Sequence, residues 1–112
     1  MADQDEWDRD PAVKWMRGVF KAMERHQHRL ITQLNVSLFD PRLRPGRERA
    51  LALFNRAWKR ARWQGIVLDE EKAGRLYAAG LSRILQQEGV VLPEALSSFD
   101  PEIEMLLKEE AS

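Results

Sequence analysis

The sequence predicts an all-α single domain, a small bundle of about four helices with short helical turns in the connections. Three observations predict it. Apolar residues recur at three- and four-residue spacing over long stretches. Two of the three Asp-Pro pairs, Asp10-Pro11 and Asp100-Pro101, and an Asp-Glu-Glu run read as helix starts, where an Asp cap, a proline without an N–H and acids near the positive end of the helix dipole are all favoured. Gly65 and Gly89, each followed by an apolar residue, read as left-handed helix stops. Ile66-Val67-Leu68 and Val90-Val91-Leu92 are too short to argue for a sheet.

The first helix is expected to start at Asp10-Pro11. Val13, Met16, Phe20, Met23, Leu30 and Leu34 form its main stripe, with Gln27 at the one polar step. Ala12, Trp15, Val19 and Ala22 form a second stripe beside it, so the first half is apolar over a wide arc that can touch more than one neighbour. Glu24 to Arg29 is polar on every face, yet one helix to about Leu34 is favoured over a break. Pro41, Pro45 and the turn formers Asn35, Ser37, Asp40 and Gly46 mark a connection pinned by Val36, Leu38, Phe39 and Leu43, with a short helical turn after Asp40-Pro41.

The second helix is expected from about Arg47 to Gln64, burying Ala50, Leu51, Phe54, Ala57, Trp58 and Ala61. The third starts at Asp69 and runs to Glu88, burying Ala73, Leu76, Tyr77, Gly80, Leu81, Ile84 and Leu85. Ala73 and Gly80 would let a neighbour approach closely, with Trp58 the expected filler. A turn from Pro93 to Leu96 and a last helix from Asp100-Pro101, docked by Ile103, Leu106 and Leu107, complete the reading. The organisation is an acidic tail over residues 1–9, a helical domain over 10–108 and a frayed end over 109–112.

Composition excludes several function classes. The chain has 112 residues and no cysteine, which removes disulfides, thiolate metal sites and cysteine nucleophiles. No apolar run reaches the ~18 residues of a membrane span, and the acidic first ten residues do not resemble a secretion signal. A cytoplasmic protein without membrane attachment is expected. Net charge is zero but unevenly spread: −4 over residues 1–10, +3 over 11–41, +7 over 42–68 and −6 over 69–112. The segments can neutralise one another in the fold, or the basic middle can face an anionic partner.

No catalytic or cofactor motif is present. His26 and His28, two apart on a helix, point ~200° apart and cannot share a metal there, so no metal site is expected. Asp69, Glu70 and Glu71 are accounted for by helix capping. None of the serines lies in a nucleophile elbow, and no glycine-rich phosphate loop occurs.

The strongest surface pattern is on the second helix. Arg56, Lys59, Arg60 and Trp63 fall at i, i+3, i+4 and i+7, with Arg49 on the same side. A basic face carrying an aromatic suits an anionic partner. The structural alternative is that Trp63 packs under the first helix or the 35–46 connection, with an arginine stacked on it. A DNA-reading pair of second and third helices is disfavoured, because acids open the third helix where phosphates would lie. The wide arc of the first helix makes Trp15 and Val19 candidates for self-association, unless the last helix covers them. The expected function is a non-catalytic protein–protein interaction module, a homodimer or an adaptor or regulatory subunit. The alternative is a nucleic-acid binder that uses the second helix.

Overall fold

Asp10 opens the first helix by accepting a hydrogen bond from the Ala12 N–H (2.9 Å), and Pro11 takes the first helical position. In the computed structural model, which describes residues 10–91 and 101–111 and side chains as far as 108, this helix is α1, Pro11–Leu34. It passes unbroken through the polar stretch from Glu24 to Arg29, and there the Tyr77 hydroxyl donates to the Gln27 side-chain oxygen at 2.5 Å. The remaining helices are α2 (Leu43–Trp63), α3 (Glu70–Gln87) and α4 (Pro101–Ala111), with no strand among the described residues. The fold is all-α, as the sequence predicts. Residues 1–9 and the turn expected from Pro93 to Leu96 lie outside the described residues.

Three helices end in the same way. Asn35 (φ 55°), Gly65 (φ 73°) and Gly89 (φ 96°) adopt left-handed backbone. The next N–H reaches back five residues: Val36 to Ile31, Ile66 to Ala61 and Val90 to Leu85, at 3.3, 2.8 and 3.0 Å. Such bonds satisfy carbonyls that the helix end leaves open. The apolar follower then folds onto the core, and Val36, Ile66 and Val90 all pack there.

The start of α2 departs from expectation by one turn. It begins at Leu43, not Arg47, and takes in Pro45 and Gly46. Pro45 is its third residue, where the N–H would have no intrahelical partner, so the ring does not break the helix. Asp40 sets this start by accepting from the Arg42 N–H (2.9 Å) and from the Arg42 guanidinium (2.7 and 3.0 Å). These bonds favour the ionised form and hold the Asp40 carboxyl down at about 2. Leu43 is buried and Val36 half-buried, but Leu38 and Phe39 point outward, so only part of the expected pinning is present.

α3 is the centre, with eleven buried residues and contacts to every other helix. α1 runs parallel to it: Gly18 meets Glu70, Ala22 meets Gly74 and Gln27 meets Tyr77. α2 runs antiparallel, with Gly46 against Leu81 and Leu85, and Leu53 against Gly80. The closest backbone approach is at Gly74, where an added Cβ would stand 2.8 Å from the Ala22 carbonyl carbon. Gly80 is indeed a close-packing position, but Leu53 fills it and Trp58 does not. α4 docks through Ile103, Leu106 and Leu107, all buried. Glu102 pairs with Lys72, and Glu104 with Arg83. Those two cations are ~16 Å apart along α3, so α4 crosses α3 rather than lying along it. α4 contacts α2 and α3 but not α1, so it does not cover the wide apolar arc of the first helix.

Candidate partner-binding surfaces

Both α1 and α2 pack on α3, but no Cα of one comes within 8 Å of a Cα of the other. Between them lies a cleft of about 360 Å³. Trp15, Met16 and Phe20 line it from α1, and Leu51, Phe54 and Trp58 from α2, with Val19 and Met23 deeper. One end is closed by the Trp15 and Trp58 rings, with centroids 5.6 Å apart and planes tilted by 32°. The Arg62 guanidinium lies 5.0 Å from the Trp58 ring centroid and caps that end. Tyr77 of α3, bonded to Gln27, has Arg47 near it. Burial pushes the Tyr77 hydroxyl above its ordinary value, which keeps it a proton donor.

The structure divides the arc of α1 differently from the sequence reading. Val19, Ala22 and Met23 are buried, whereas Met16 is 45% and Phe20 51% exposed. Of the two residues proposed for self-association, Val19 is only 2% exposed and Trp15 is engaged with Trp58, so neither forms an outer face. The physical reason is size: Ala22 and Gly74 let the helices meet along the second stripe, which rotates Met16 and Phe20 outward. Leu51, expected in the core, is also 41% exposed on the opposite wall of the cleft.

The basic face of α2 lies on the other side of that helix. Arg49, Arg56 and Lys59 are exposed and Arg60 half-buried. Trp63 is 91% exposed. It does not pack under α1 or the 35–42 connection; the ring that carries a stacked arginine is Trp58. Near the start of this face a concavity of about 280 Å³ opens between α2, α3 and α4. Arg49 and Arg56 of α2 and Arg83 and Gln87 of α3 border it, above Ala52, Leu53, Ile84 and Leu107. Arg49 is held by Glu88 at 3.2 Å, and Arg83 by Glu104. Arg83 went unnoticed in the sequence because it belongs to another helix, and only the antiparallel packing brings it beside Arg56.

His26 and Glu71 serve the α1–α3 contact. Asp69 caps α3 by accepting from the Lys72 N–H at 2.7 Å. Glu71 pairs with Arg25 and lies 3.0 Å from His26 Nε2. His28 is exposed on a different side of α1. Among the described residues no three His, Asp or Glu side chains converge as metal ligands. No described helix is long and apolar enough to cross a membrane. Comparison with family models, curated proteins and solved structures finds no match to this chain.

Proposed function

We propose that this protein is a helix-docking module whose α1–α2 cleft receives an acidic amphipathic helix from a protein partner. The carrying observation is the cleft itself: an aromatic- and methionine-lined trough, open between two helices whose backbones stay apart, with Met16, Phe20 and Leu51 each more than 40% exposed. A trough of this kind suits the apolar face of a helix, read through residues at i, i+3, i+4 and i+7. Met16 and Met23 add side chains that adapt to the shape of an occupant.

Charge selects the occupant. By helical period, Arg44, Arg47 and Arg62 flank the α2 wall, with Glu48 the one acid among them, 3.9 Å from Arg44. An acidic helix would meet this rim favourably. A second copy of α1 carries Lys14, Arg17, Lys21, Arg25 and Arg29 against one acid, Glu24, so it offers this rim no opposite charge, which disfavours the homodimer.

The test uses a synthetic helix of Leu and Phe at i, i+3, i+4 and i+7 on a glutamate-rich background, and its scrambled isomer. Fluorescence anisotropy should show saturable binding of the helix and not of the isomer. Phe20→Glu should weaken it by about tenfold or more, as expected of a central aromatic contact. Equal binding of helix and isomer, or indifference to Phe20→Glu in a folded variant, would reject the proposal.

A further inference from the structure

We infer that the opposite face of α2 is a second, independent site that binds single-stranded nucleic acid, with phosphates held at the arginine concavity and a base stacked on Trp63. Three observations converge. Trp63 is 91% exposed among cations and contributes nothing to the core, whereas Trp15 and Trp58 both pack against it. Arg49, Arg56 and Trp63 are spaced by seven residues, so they fall on one line along α2, at intervals of ~10 Å. The concavity beside Arg49 and Arg56 adds Arg83 and Gln87 from α3, so donors from two helices converge on one hollow. A phosphate there would exchange partners with Glu88 and Glu104, which in its absence hold Arg49 and Arg83 in position.

The arrangement favours a single strand. A ring standing out from a helix can stack on the face of an unpaired base, but it cannot reach the face of a base inside a duplex. Trp63 also sits at the negative, carboxyl end of α2, a poor place for phosphate and an acceptable one for a base. Lys59 and Arg60 lie between the two subsites and follow the intervening backbone. The acids that argue against a DNA-reading helix pair are turned elsewhere: Glu70 lies over Gly18, and Glu71 pairs with Arg25 and His26.

The experiment is anisotropy of labelled oligo(dT) and oligo(U) of about a dozen nucleotides, within the range of single-strand site sizes, titrated with the full chain at low and physiological salt. Saturable binding is expected, weakening steeply with salt as counterions are released. Trp63→Ala and Arg56→Glu should each weaken it about tenfold, while Trp63→Phe, which keeps a stacking face, should retain most of it. The variants are surface changes, and circular dichroism checks that they fold. Phe20→Glu, on the α1 wall of the cleft, should leave oligonucleotide binding unchanged, so loss of one site is distinguishable from loss of the other. Absence of saturable binding at low salt, indifference to Trp63→Ala, equal affinity for a duplex, or equal displacement by polyglutamate would each overturn the inference.

Discussion

His26 is half-buried between α1 and α3, with Arg25 and Arg29 on its own helix, and Arg75 and Glu71 across from it on α3. Burial and the three arginines lower its pKa below 6.5. Glu71, 3.0 Å from the ring, also pairs with Arg25. The neutral ring, protonated on Nε2, donates to Glu71. A base whose folded pKa lies below its unfolded value leaves the unfolded chain binding more protons between the two values. Stability from this residue is therefore complete above the unfolded pKa, falls as pH drops through 6.5, and is gone below the folded pKa. Denaturant unfolding between about pH 7.5 and 5.5 should show this loss, and His26→Gln should flatten it. An unchanged slope in that variant would show that another group carries the dependence.

The helices are tied by their smallest residues. Gly74 on α3 has backbone and Cβ of Ala22 at 2.8 Å from where its own Cβ would be, and neither can swing away. Gly74→Ala should therefore cost about 1–3 kcal/mol through overpacking, despite its better helix propensity. Gly18 on α1 is the contrast, for its missing Cβ is covered by the end of the Glu70 side chain, an exposed and flexible group. Gly18→Ala should be neutral, or stabilising by up to about 1 kcal/mol, as the carboxylate moves and the helix gains propensity. Urea titrations of the two variants compare them directly; similar losses in both would mean that the α1–α3 spacing is not set at Gly74. Neither position stands out in the sequence, where Ala73 and Gly80 are the more evident small residues. The partner of a glycine is chosen by helix direction, and the parallel α1–α3 pairing is a long-range property.

For the whole molecule, the decisive feature is which side of α1 faces in. Val19 and Phe20 are neighbours in sequence, with opposite roles: one is 2% exposed and the other 51%. Val19→Asp should cost more than about 3 kcal/mol, because it leaves a carboxylate buried without a partner. Phe20→Asp should stay within about 1 kcal/mol, as a surface change does. Thermal melts that order the two variants the other way would reverse the assignment of the cleft. The same comparison separates a docking surface from a core, since only the Phe20 variant would lose a partner while remaining folded.

Local rules determined much of this protein in advance. The caps at Asp10 and Asp69, the stops at Gly65 and Gly89, the continuity of α1 and the docking residues Ile103, Leu106 and Leu107 follow from hydrogen-bond satisfaction and periodicity within a few residues of chain. The line of Arg56, Lys59, Arg60 and Trp63 was legible for the same reason, being contained in one helix. Tertiary structure alone decided the rest. It placed Met16 and Phe20 outside and Val19 inside, joined Arg83 to Arg49 and Arg56, gave Gln27 the Tyr77 hydroxyl, and left α1 and α2 apart. Each of these depends on which helices meet and in which direction, and periodicity within a single helix marks an apolar arc without saying which part of it a neighbour will cover.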